Sequence, residues 1–163
     1  SAITDEREFV VIGSQAILGQ FPNAPESLLV SAEADLYPRR APERSDLVDG
    51  AIGELSTFHQ TFGYYAHGVD ETTAVLPDGW MDRLVRLHNA NTGGAVGWCL
   101  EAHDLAVSKL IASRDQDDRF LRVLLQERMV DRQVLLERLR TVPLPENRIR
   151  QLEQRLASLG NYA

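Results

Sequence analysis

The spacing of apolar positions changes character along the chain. In the first half, short apolar runs alternate with turn residues, as half-buried strands do. Phe9-Val10-Val11-Ile12 is β-rich and stops at Gly13-Ser14. Gln15 to Leu18 then reads as a short helical stretch, ended by Gly19 and by Pro22 and Pro25. Leu28 to Leu36 reads as a strand. Arg44 to Thr57 carries Leu47, Val48, Ala51, Ile52 and Leu55 at helical spacing. Further strands are predicted at Gly63–Val69, Thr72–Leu76, Leu84–Leu87 and Ala95–Leu100, punctuated by Pro77-Asp78-Gly79 and by the Asn89–Gly94 loop. In the last third the period becomes 3.6. Asp104–Ser113, Asp115–Gln126, Asp131–Arg140 and Glu146–Leu159 are predicted helices, with Pro143 and Pro145 parting the last two. The order predicts an α/β (α+β) protein. A mixed β-sheet flanked by helices occupies residues 1–102, and a helical part over 103–163 packs on it as one compact unit.

Composition narrows the function classes. Hydrophobic residues are 44% and charged residues 25% of 163, enough for a packed core. No apolar run approaches the roughly 18 residues of a membrane helix, and the acidic, polar start SAITDERE has no signal-peptide pattern. The single cysteine, Cys99, excludes a disulfide framework within the chain and fits a reducing cytoplasm. The net charge is −7, so non-specific DNA binding is not expected and any contact with RNA must be local or carried by metal. Lys109 is the only lysine among 17 basic residues.

Two segments carry candidate chemistry. In Val11-Ile12-Gly13-Ser14-Gln15 a strand passes through a glycine and a small hydroxyl residue into a helix. Such a turn admits a phosphate to backbone N–H groups, although a tight turn with Ser14 as an ordinary N-cap has the same signature. In Ser31-Ala32-Glu33-Ala34-Asp35, side chains two apart share a strand face, which sets Glu33 beside Asp35. Neighbouring carboxylates repel, and a hard divalent cation such as Mg²⁺ relieves the repulsion. A solvated acidic strand edge is the ordinary alternative.

Gly13-Ser14 followed by Glu33-x-Asp35 resembles the signature of the polymerase-β-type nucleotidyltransferase superfamily. The segment Glu101-Ala102-His103-Asp104-Leu105 through Lys109, with Arg114, Asp115 and Asp117 after it, is similar to a second block found in the AbiEii-like toxin branch and the bacterial DUF6036 family. The resemblance runs from Phe9 to about Leu139. It implies a nucleotidyltransferase-like fold that binds a nucleoside triphosphate and Mg²⁺. Carried over residue by residue, Gly13 and Ser14 contact phosphate, Glu33 and Asp35 hold the metal, and Lys109 neutralises triphosphate charge. Asp117 supports the metal or orients Lys109. The acceptor implied is tRNA or another RNA, or a protein hydroxyl, and an antitoxin accompanies some relatives. The leading acid here is Glu33 rather than the commoner aspartate. No third carboxylate stands out on a later strand; Asp70, Glu71, Asp82 and Glu101 are the nearby acids. That gap supports an alternative, a catalytically degraded module of the same fold acting through a partner protein.

Other features have simpler readings. Lys109 reads equally as a helix-edge residue, and Asp115 as an N-cap with Asp118 three residues on. His59, His67, His88 and His103 lack zinc-ligand spacing. Arg39, Arg40 and Arg44 form the basic cluster nearest the acid pair, either solvated or facing a phosphate. Ile149, Leu152, Leu156 and Leu159 form a stripe suited to a core or to a partner surface.

Overall fold

The computed structural model describes residues 6–90 and 94–159, leaving aside the side chains of Phe58 and Phe62. Residues 91–93, the middle of the predicted Asn89–Gly94 loop, and residues 1–5 of the acidic start lie outside that set. The chain divides into two compact units, one formed by Ser1–Ala74 with Arg83–Glu101 and the other by Val75–Asp82 with Ala102–Ala163.

The first unit is built on a mixed sheet of β1 (Glu8–Val11), β2 (Glu33–Pro38), β3 (Tyr65–Gly68), β4 (Val85–Leu87) and β5 (Val96–Cys99), in the order β3-β2-β1-β5-β4. The β1–β2 and β4–β5 pairs are antiparallel, whereas β1–β5 and β2–β3 are parallel. The mixed sheet is therefore as the sequence predicts. Val10, Ile12, Tyr37 and Cys99 are buried with Ile17 and Leu28 beneath short 3-10 turns at Ser14–Gly19 and Glu26–Leu28. Close approach requires glycine at position 19, where a Cβ would sit 2.5 Å from Cys99 Cβ. Burial pushes the Cys99 thiol up to about 11, outweighing the lowering effect of a hydrogen bond from the Gly19 backbone, so this sulfur is packing rather than a nucleophile.

Three predicted elements differ. The strand expected from Leu28 begins only at Glu33. Pro25 fixes a turn whose carbonyl accepts from Leu28 N at 2.9 Å, and Ser31 Oγ then accepts from Glu33 N at 3.2 Å. The helix expected over Arg44–Thr57 is two helices, α1 (Asp46–Ile52) and α2 (Thr57–Phe62). Gly53 ends the first, Leu55 takes φ 64°, and Ser56 caps the second by accepting from His59 N at 3.1 Å. The strand expected at Thr72–Leu76 is a turn. Asp70 Oδ1 accepts from Thr72 N at 2.8 Å and from its hydroxyl at 2.6 Å, offering the backbone an alternative to a ladder.

The second unit contains α3 (Ala102–Ala112), α4 (Asp115–Gln126), α5 (Arg132–Leu139) and α6 (Glu146–Leu159), so all four predicted helices form. α3 packs against each of the others and is buried along most of its length. The Leu152, Leu156 and Leu159 stripe is core. No helix among the described residues is long and apolar enough to cross a membrane.

Candidate metal and nucleotide site

Glu33 and Asp35 project from β2 on the same face, as the two-residue period requires. β3 lies parallel beside it, with Tyr65 opposite Glu33 and His67 opposite Asp35. Parallel pairing thus aligns two acids with a phenol and an imidazole. His67 Nδ1 is 2.8 Å from Glu33 Oε1 and 3.4 Å from Asp35 Oδ1. Tyr65 donates its hydroxyl hydrogen to Glu33 Oε2 at 3.2 Å. From α1, Asp49 Oδ2 lies 3.8 Å from His67 Nε2, while its other oxygen accepts from Gly68 N at 3.1 Å. Gly68 must stay small here, because a Cβ would meet the Ser45 carbonyl.

The glycine turn closes on the same acids. Ile12 N donates to the Asp35 carbonyl at 3.0 Å, which brings the end of β1 alongside. A Cβ on Gly13 would overlap Asp35 Oδ2 and lie 2.9 Å from Asp35 Cβ and Cγ. Gly13 has φ −80°, which any residue can adopt, so it is steric room for the carboxylate that demands glycine here. Ser14 opens the 3-10 turn and is not its N-cap; Gly13 holds that position without a side-chain bond. Gln15 Nε2 donates to the Ser31 carbonyl at 2.6 Å, tying this turn to the lead-in of β2.

Glu33, Asp35 and His67 each offer a ligand atom within 4.8 Å of the others, the one such trio among the described residues. Two carboxylates and an imidazole at this separation suit a divalent cation. Partial burial would lower the basicity of His67, but the charge of Asp49, the hydrogen bond to Glu33 and the charges of Glu33 and Asp35 outweigh it. The imidazole therefore holds its proton above the ordinary histidine range.

Sequence reading found the acid pair and missed His67, Tyr65 and Asp49. Where it sought a third carboxylate on a later strand, the fold brings a histidine. The available signal was the Tyr65-x-His67 alternation, whose polar residues share a face; the strand pairing that aims this face at Glu33 and Asp35 is not encoded locally. The basic cluster that follows the acids in sequence is partly neutralised at the other end of β1. Arg39 and Arg40 lie 3.2 and 3.5 Å from Glu8, and Arg39 stacks 4.3 Å above Trp98.

Lys109 and Asp117 belong to the helical unit. Lys109 is not the exposed edge residue of the simpler reading. Its side chain is 11% exposed, its Nζ lies 3.3 Å from Asp117 Oδ1, and it sits 5.5 Å over the Phe120 ring. Asp117, rather than Asp115 or Asp118, closes the start of α4. It accepts from Arg114 N at 3.2 Å and from Arg114 Nε at 2.8 Å, while Asp118 is bound by Arg155 at 2.7 Å. Burial would raise the Asp117 carboxyl, but the Arg114 hydrogen bonds and the Lys109 charge hold it below the usual carboxylate range. A carboxylate with a lowered folded-state value stabilises the fold above its unfolded-state value of about 3.9, and that contribution disappears as pH falls through the lower folded-state value. The gap in melting temperature between the parent chain and Asp117→Asn is therefore expected to narrow as pH drops from 6 to below 4. A constant gap would show that the charge of Asp117 contributes nothing.

The family model described as "Nucleotidyltransferase of unknown function (DUF6036)" matches residues 1–154. No curated protein and no solved structure matches this chain.

Proposed function

This chain belongs to the DUF6036 family of nucleotidyltransferases of unknown function, and from that premise we propose that it moves a nucleotide from a nucleoside triphosphate to an acceptor hydroxyl, with pyrophosphate as the leaving group, at Glu33, Asp35 and the Gly13–Ser14 turn. The observation that carries this reading is the contact between Gly13 and the Asp35 carboxylate, which leaves room for no side chain at the turn. A phosphate binds where backbone can approach it, and a metal-bridged phosphate must lie beside the metal's carboxylates. Here one glycine serves both needs.

In this reading Glu33 and Asp35 hold a divalent cation, with Mg²⁺ matching their hard oxygens. The cation, when bound, neutralises charge that develops on the phosphates during transfer. Tyr65 restrains Glu33 through Oε2, leaving Oε1 facing Asp35 and His67. The Ser14 hydroxyl takes a phosphate oxygen at the mouth of the turn. The Lys109–Asp117 pair has a narrower place in the proposal: it fixes the junction of α3 and α4, with the ammonium charge matched by Asp117. The acceptor class, an RNA such as tRNA or a protein hydroxyl, and a toxin role beside an antitoxin are supported by the resemblance to the AbiEii-like branch. The net charge of −7 favours an acceptor held over a small local area.

The test is transfer of label from α-labelled triphosphates, each of the four in turn, to total RNA and protein in the presence of Mg²⁺. Label should move with one or more of them and vanish in Glu33→Gln. A melting temperature raised by a triphosphate without label transfer would instead support the degraded, partner-directed module. If no triphosphate did either, the site would not be a nucleotide site.

A further inference from the structure

We propose that His67 is a third ligand of the cation held by Glu33 and Asp35, and that its nitrogen biases the site toward Mn²⁺ over Mg²⁺. This inference rests on the metal-dependent reading above and adds to it the identity of the third donor and the class of ion.

The geometry argues for ligation. Around a six-coordinate ion with bonds of about 2.1 Å, neighbouring ligand atoms lie about 3.0 Å apart. The distances from His67 Nδ1 to Glu33 Oε1 and Asp35 Oδ1, 2.8 and 3.4 Å, bracket that edge. All three donor atoms fall within 4.8 Å of one another, so a single ion spans them.

A second observation concerns the far side of the ring. Metal-bound histidines commonly turn their other nitrogen toward a carboxylate, which fixes the tautomer and the ring plane. His67 Nε2 faces Asp49 Oδ2 at 3.8 Å, and Asp49 is itself anchored by Gly68 N. Without a cation, Nδ1 carries the proton that Glu33 accepts; ligation would displace that proton, leaving the other on Nε2 and the Nδ1 lone pair between the two acids. Tyr65 supports Glu33 in the same way, from behind its other oxygen. Asp49 thus stands behind the imidazole at ion-pair distance, and Tyr65 hydrogen-bonds Glu33 from behind.

The chemistry then selects the ion. Mg²⁺ takes oxygen and keeps its waters, whereas imidazole nitrogen suits first-row transition ions. Two carboxylates and one imidazole form a mixed set that Mn²⁺ accepts without loss and Mg²⁺ accepts poorly.

The full chain, freed of metal by chelation, is titrated with Mn²⁺ alone and with Mg²⁺ alone by calorimetry, and the Mn²⁺ form is examined by pulsed electron paramagnetic resonance. The expected result is ¹⁴N modulation from a coordinated imidazole in the parent chain and none in His67→Gln. The Mn²⁺-over-Mg²⁺ preference should fall about tenfold in His67→Gln, and His67→Asp, with an all-oxygen set, should move it further toward Mg²⁺. Mn²⁺ that binds and is lost in Asp35→Ala, yet shows no nitrogen modulation in the parent chain, overturns the role of His67 while leaving the nucleotidyltransferase reading intact. Failure of both ions to bind, with or without a triphosphate, overturns both.

Discussion

Replacing Gly13 with alanine is expected to abolish the rise in melting temperature that a divalent cation and a triphosphate together produce in the parent chain. The added methyl has nowhere to go. It would overlap Asp35 Oδ2 and approach the Asp35 Cβ and Cγ to 2.9 Å, so either the carboxylate rotates away or the turn lifts from β2. Each response separates the two halves of the site. Overpacking of this kind costs about 1–3 kcal/mol, so the variant should remain folded, with its far-ultraviolet circular dichroism unchanged. A Gly13→Ala protein that kept the full ligand-dependent shift would show that this contact is incidental.

The second large effect is one of stability. Arg138→Met is expected to destabilise the helical unit by about 3 kcal/mol, measured as a lower urea midpoint with little change in slope. Asp104 is fully buried at the start of α3, and Arg138 of α5 reaches it at 3.0 Å. Removing the guanidinium takes away a charge that faces a buried carboxylate, and that loss costs more than the pair contributes as a unit. The lower end of the usual range applies because Arg138 is 21% exposed and water screens part of the interaction. Replacing both residues with leucine should recover most of the loss. If Arg138→Met left the midpoint unchanged, the pair would not be holding α3 to α5.

Asp104 also shows which features a sequence can reveal. It reads from sequence as the opening acid of a helix, a local feature that the fold keeps. Its partner Arg138 lies on a different helix and gives no local sign. The same division runs through the candidate site. Glu33 and Asp35 were legible because a two-residue period is a property of the strand alone, and Gly13-Ser14 was legible because a turn is marked by its own residues. His67 and Asp49 were not, since each joins the site only through the parallel β2–β3 register and the packing of α1 on β3. In the helical part, apolar spacing gave α4 and α6 with their observed ends, because each helix has a continuous buried stripe. Leu55 shows the opposite case. It fits the apolar period of a long helix, yet Gly53 and Ser56 interrupt that helix and leave Leu55 77% exposed. The predicted strand at Thr72–Leu76 failed for a related reason: the Asp70 side chain satisfies the backbone that a neighbouring strand would otherwise need to pair.

The most direct measurement is a crystal of this chain soaked with Mg²⁺ and a non-hydrolysable triphosphate analogue. Cation density is expected between Glu33 and Asp35, with the phosphates resting against Gly13 and Ser14. An ordered analogue bound elsewhere, or one bound at the turn with both carboxylates directed away from any cation, would contradict it.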